Sequence, residues 1–254
     1  MPRAKKKVDS DTGLTMQWYI VHKIIRRRIF KIRSPRGHGT GFHIGSFGKN
    51  GSLAATATAR HVIESAHEWG EPIKVLHEES GKEVLLKVTD RAIFTFPPSD
   101  TAIIVFQKPT DLDLPKEEVP YFRNDKSIFP GVDISWCGFP SVQPDKPCFF
   151  HGYISCNLEK SGYLVDGVVI NGVSGGPVFF IDGNDPILFG VISAYKPNHH
   201  AAGPLPGLGV ISSIPDEYEK EITSLRNFTK AAEEAAKNKA STSTEQVDAD
   251  TTRE

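Results

Sequence analysis

The sequence predicts an all-β protein, a barrel arrangement with little helix that ends in one C-terminal helix. Two observations predict it. From Gly37 to Ser213, short β-branched and aromatic runs are punctuated by Gly, Pro, Asn and Asp, as in a barrel or sandwich. After Pro215 the spacing changes, and Tyr218, Ile222, Leu225 and Phe228 recur three and four residues apart, which marks one apolar face of a helix.

Taken in order, residues 1–15 are polar, carry Lys5, Lys6 and Lys7 in a row, and are expected to be disordered. Gln17 to Arg36 mixes apolar and basic residues and holds the first strand, with a short helix before it as an alternative. Ten further runs read as strands: Thr40–Ile44, Ser52–Thr58, Ile73–Leu76, Val84–Thr89, Ala102–Phe106, Val132–Gly138, Gly152–Cys156, Val165–Ile170, Pro177–Ile181 and Leu188–Ser193. The proline- and charge-rich segment Pro109–Pro130 links two barrels, one over about 16–110 and one over about 127–215. The helix is expected at 216–238 and a disordered tail at 239–254. No repeat of fixed period is visible.

Composition bounds the function. Hydrophobic content of 39% and charged content of 24% are those of a soluble globular chain, and a net charge of -1 gives no overall bias towards nucleic acid or membrane. No run approaches the roughly 18 apolar residues of a spanning helix. The basic start, Met1 to Ser10, is followed by no apolar signal core, so secretion is not expected. Cys137, Cys148 and Cys156 are odd in number and loosely spaced, unlike a disulfide framework or zinc site. Cys137 and Cys156 lie in apolar strand-like runs and read as buried free thiols, which points to a cytoplasmic location.

Residues 1–37 hold eleven Lys or Arg against two Asp. Their alternation with Ile20, Ile24, Ile25, Ile29 and Ile32 reads as a part-buried element with a solvated basic face rather than a nucleic-acid surface. His199 and His200 are adjacent, with no carboxylate cluster nearby in sequence, and read as solvated loop. No metal or cofactor is expected.

Three local patterns carry chemistry. Thr58-Ala59-Arg60-His61-Val62 follows an apolar run, Ser99-Asp100-Thr101-Ala102 begins another, and Asn171-Gly172-Val173-Ser174-Gly175-Gly176-Pro177 is a Gly-rich turn between two more. A serine hydroxyl needs a neighbouring imidazole to take its proton during attack. The imidazole then returns that proton to the leaving amine, and a carboxylate holds the ring in one tautomer. Two backbone N–H groups, those of Gly172 and Ser174, would hold the oxyanion, and glycine permits the turn that aims them. His61, Asp100 and Ser174 are therefore the candidate catalytic residues; Asp90 and Asp125 are the weaker alternatives for the acid.

The set Gly39-Thr40-Gly41-Phe42, Ala59-Arg60-His61-Val62, Asp100-Thr101-Ala102 and Gly172-Val173-Ser174-Gly175-Gly176-Pro177 resembles the trypsin-like serine peptidases, and within them the HtrA-like bacterial forms. Ser212-Ser213-Ile214-Pro215 is similar to the end of their catalytic domain. The order His, Asp, Ser separates this family from subtilisins and α/β-hydrolases. The resemblance, over Gly37 to Pro215, implies two six-stranded antiparallel β-barrels of chymotrypsin type and a protein or peptide substrate. Val173 stands where secreted relatives carry the Asp that pairs with a clipped N-terminus, so activation by clipping is not expected. The 39 residues after Pro215 are too few for the PDZ domain usual in HtrA-like proteins.

By the same resemblance, Val168 lies at the base of the P1 pocket and Asn171 beside it. Ser193-Ala194-Tyr195 pairs with substrate backbone, Ser193 reaches Asp100, and Tyr195 narrows the pocket. An apolar base favours small or medium apolar P1 side chains. The alternative from another class is a latent or non-catalytic protease-fold module that binds peptides and is activated or recruited by a regulatory protein partner.

Overall fold

Two antiparallel sheets divide the chain, and the catalytic candidates lie on the seam between them. The computed structural model describes residues 18–97, 99–121, 128–158, 162–183, 185–200 and 203–251, with backbone only for 198–200, 203–206 and 236–251. The expected disordered start at 1–15 and Asp125 lie outside the described residues.

A helix comes first, α1 (Trp18–Arg26), which buries Val21 and Ile25 four residues apart on one face. The first sheet follows, with β1 (Ile29–Ser34), β2 (Gly37–Phe47), β3 (Leu53–Ala59), β4 (Ile73–His77), β5 (Glu83–Leu86), β6 (Arg91–Phe96) and β7 (Thr101–Gln107); α2 (Arg60–Glu68) crosses between β3 and β4. Its spatial order is β5-β4-β1-β2-β3-β7-β6. The sheet curls until Phe30 of β1 meets Phe106 of β7 edge-on, ring centroids 6.4 Å apart.

This sheet has seven strands where six were expected, because the strand expected at Val84–Thr89 ends at Leu86 and Arg91–Phe96, not among the expected strands, forms another. Val88–Asp90 forms one turn of 3-10 helix, in which the Asp90 carboxylate accepts the Lys87 N–H at 3.1 Å. Arg91 then begins a new strand and donates back to the Leu86 carbonyl at 2.9 Å, drawing the two sheet ends together.

The second sheet is a closed six-stranded barrel in the order β10-β13-β12-β11-β8-β9. Its strands are β8 (Asp133–Gly138), β9 (Cys148–Leu158), β10 (Gly162–Asp166), β11 (Pro177–Asp182), β12 (Asp185–His200) and β13 (Gly203–Ser213). Trp136, Ile154, Val165, Val178, Ile192 and Ile211 fill it, each apolar side chain contributing about 1.5–3 kcal/mol of burial.

A third apolar cluster joins the barrels. Phe42, Ala57 and Ile103 from the first meet Cys137, Phe179 and Val191 from the second, and Val21 and Ile25 of α1 join them. Burial pushes the Cys137 thiol up to about 12, so it is an inert apolar group. Cys156, expected to be buried, is exposed: the β9–β10 register shifts between Leu164 and Val165 and turns it outwards.

The C-terminal helix α3 (Asp216–Thr251) inserts Tyr218 and Ile222 into the same cluster. It contains the good helix formers Ala231, Ala232, Glu233, Glu234 and Ala235, and it runs past the expected end at residue 238 to Thr251. Arg226 of α3 binds Glu118 in the inter-barrel segment. Among the described residues, no helix is long and apolar enough to cross a membrane.

Candidate active site

Strand register brings the first two residues together. Ala59 at the end of β3 pairs with Thr101 at the start of β7. His61 lies two residues beyond the one and Asp100 one residue before the other. The Asp100 carboxylate uses both oxygens on His61: Oδ1 accepts the His61 backbone N–H at 3.0 Å, and Oδ2 lies 2.6 Å from the ring Nδ1. It thus satisfies an orphan donor at the start of α2 and fixes the ring with one group.

Ser193 joins them. The β12–β13 register shifts between Ile192 and Ala194, and at that bulge Ser193 Oγ donates to Asp100 Oδ2 at 2.6 Å. Burial raises the carboxyl's pKa, but the bonds from His61 and Ser193 outweigh it, and the net value lies below the ordinary one. Asp90, the other described candidate for the acid, caps the turn before β6 and is engaged there.

Ser174 sits in the turn before β11. Gly172 and Gly175 adopt φ of +88° and +82°, a region that glycine enters without strain. The N–H of Gly175 donates to the Ile192 carbonyl at 2.7 Å and ties the turn to β12. The carbonyls on either side of the turn are also held. Asn171 O accepts the Ser141 N–H at 2.7 Å, and Val173 O accepts the Gly176 N–H at 2.8 Å.

In a trans peptide the C=O and the following N–H point opposite ways. Those two bonds therefore aim the N–H groups of Gly172 and Ser174 away from the turn, and neither donates to another described residue.

Thr40 of β2 locks this arrangement across the barrel seam. Its N–H donates to Ser174 O at 2.8 Å, and its hydroxyl donates to Gly172 O at 2.9 Å while accepting the Phe139 N–H at 3.0 Å. Its carbonyl accepts Thr58 Oγ1 at 2.7 Å. Sequence reasoning assigned Thr40 no role of its own; its place in Gly39-Thr40-Gly41-Phe42 was the available signal.

His61 and Ser174 face one cavity of about 360 Å³. No hydrogen bond joins them among the described residues, and the side chain of His61 is 44% exposed.

The expected P1 residues are placed differently. Val168 is not the base of a pocket: it is 57% exposed, and its carbonyl accepts Trp136 Nε1 at 3.2 Å. Val169 turns inwards instead and packs on Gly209 of β13, where an added Cβ would collide with Val169 and lie 2.7 Å from Val165. Tyr195 does not lie across this space: its hydroxyl accepts the Gly207 N–H at 2.7 Å across the β12–β13 ribbon. Ala194 and Tyr195 are exposed on β12 beyond Val191, where pairing with β11 ends. Asn171 lines the cavity with Ser174.

Among the described residues, no group of three or more His, Cys, Asp or Glu could hold a metal. The side chains of His199 and His200 lie outside them.

No family model and no curated protein matches the chain. Solved structures do. A serine endoprotease from Yersinia pestis superposes with a TM-score of 0.57 at 18% identity, over 84% of this chain and 67% of that one. An inactive form of the protease Rv3671c from M. tuberculosis gives 0.53 at 19% identity, over 81% and 92%. Deg5 gives 0.53 at 18%, over 68% and 82%. The likeness shows a trypsin-like, HtrA-type fold of two β-barrels.

Proposed function

We propose that the chain is a serine endopeptidase with His61, Asp100 and Ser174 as its triad. The observation that carries this reading is the double grip of Asp100 on His61, on a ring that faces Ser174 across a shared cavity. With Nδ1–H held by Asp100, the ring presents Nε2 as a base.

Ser174 Oγ attacks the scissile carbonyl carbon and its proton passes to His61 Nε2. The carbonyl oxygen becomes an oxyanion, which the N–H groups of Gly172 and Ser174 receive. The C–N bond breaks as His61 returns the proton to the departing amine. Water, deprotonated by His61, then attacks the acyl-enzyme and releases the acid and Ser174. The lack of a His61–Ser174 hydrogen bond is consistent with this reading, because such bonds are commonly long in a site without substrate.

The acyl half of the substrate would add to the exposed β12 ribbon at Ser193-Ala194-Tyr195. Val169, packed on Gly209, would limit the P1 side chain to a small or medium apolar one. Cleavage of a proteome-derived peptide library, mapped by mass spectrometry, tests this. New termini after Ala or Val, lost in Ser174→Ala, are expected.

A second reading, a latent protease completed by a partner, rests on the missing His61–Ser174 bond. It is favoured if neither protein cleaves.

A further inference from the structure

The cavity shared by His61 and Ser174 extends away from β12. Its other walls are Ser34, Arg36 and His38 from the β1–β2 hairpin, Ser65 from α2, and Ser141 from the second barrel. No residue of β12 lines it. On the peptidase reading, on which this inference rests, the acyl half lies along β12, so the leaving-group half enters here.

The walls are polar and partly unsatisfied. Ser65 Oγ is buried with no hydrogen-bond partner, and such groups ordinarily have one; the His38 ring is held only by the Phe139 backbone, and its Nε2 makes no hydrogen bond of good geometry. His38 Nε2 lies 2.6 Å from where a Cβ on Gly172 would stand, at the edge of the oxyanion turn. A polar ligand would satisfy both atoms.

The sign of its charge follows from the lining. No acidic side chain lines the cavity. Two acids of neighbouring elements are engaged, Asp100 by His61 and Ser193, and Glu64 by Arg60, while Asp145 acts on Lys31 further along the hairpin. Arg36 is exposed at the rim and makes no ion pair with a described residue. Lys31 and Arg33, further along the hairpin, add positive potential at His38.

We infer that this cavity recognises a carboxylate on the leaving-group side of the scissile bond, with Arg36 as its charge partner. The carboxylate belongs either to an Asp or Glu side chain one or two residues beyond the bond or to the C-terminus of a short leaving fragment. Because Arg36 is exposed, its attraction is screened by salt, and the preference is modest, roughly 2- to 5-fold in affinity.

The test is a titration of the full chain with three leaving-group peptides, followed by the His38 ring signals in NMR. The peptides are Ala-Glu-Ala-amide, Ala-Gln-Ala-amide and Ala-Gln with a free C-terminal carboxylate. One or both carboxylate peptides should bind roughly 2- to 5-fold tighter than the uncharged one, and which of them does so identifies the source. The difference should vanish in Arg36→Gln, survive in Arg36→Lys, and shrink in high salt. Equal binding of all three, no binding, or a preference that Arg36→Gln leaves intact overturns the inference.

Labelling of Ser174 by a fluorophosphonate separates the two claims. A protein that discriminates the peptides but takes no label retains the carboxylate cavity and loses the peptidase. A labelled protein that does not discriminate retains the peptidase and loses the cavity assignment.

Discussion

The Ser141 N–H donates to the Asn171 carbonyl at 2.7 Å, and this bond turns the N–H of Gly172 the opposite way, where on the peptidase reading it receives the oxyanion. Ser141 is exposed and reaches the turn only through its backbone. Ser141→Pro removes the donor and frees the Asn171–Gly172 peptide to rotate. The expected result is a fall in kcat on the order of 10²–10³ with little change in KM, as for loss of an oxyanion donor. Steady-state kinetics, with near-ultraviolet circular dichroism to confirm the fold, checks it.

Thr40 performs a similar task from the first barrel. Thr40→Val keeps the shape but leaves Gly172 O and Phe139 N, both at the seam, without their shared hydroxyl. A loss of about 1–3 kcal/mol in stability is expected, measurable by urea denaturation, together with reduced Ser174 reactivity.

On the peptidase reading, Val169 is the residue that would limit the P1 side chain. Val169→Ala should cost about 1–3 kcal/mol through the cavity it leaves and should raise kcat/KM for Leu or Phe at P1 relative to Ala. A P1-varied substrate series reads the ratio; an unchanged ratio would place the P1 side chain elsewhere.

His43 sets an acid limit to stability. It is wholly buried on β2, and burial, followed by the charge of Arg28, lowers its pKa to about 3. The unfolded chain takes up a proton near pH 6.5 that the folded chain refuses until about 3, so stability falls as pH falls through that window. At about 1.4 kcal/mol per unit, roughly 2 kcal/mol is lost by pH 5. His43→Gln should flatten the dependence of melting temperature between pH 6.5 and 4.5. His22 and His38, also lowered, remain in both proteins, so the difference isolates His43.

The motifs were legible because each is local: His61 follows one strand, Asp100 precedes another, and Ser174 sits in a Gly-rich turn. The barrels were legible from alternating runs broken by turn residues. What escaped was non-local or aperiodic. Thr40 and Gly172 are 132 residues apart, and no local pattern encodes their bond. Val168 and Val169 follow the end of β10, where alternation no longer says which side chain turns inwards; the Trp136 bond to Val168 O decides it. Helix α2 is nine residues long with only Ile63 and Ala66 buried, too short a stripe to stand out from the neighbouring strands.

The most direct measurement is intact-mass and peptide-mapping analysis after exposure of the protein and its Ser174→Ala variant to a fluorophosphonate probe. A single adduct on Ser174, absent from the variant and strongly diminished in Asp100→Asn, is the result this mechanism predicts. An adduct elsewhere, or none on Ser174 while the protein cleaves peptides, would contradict it.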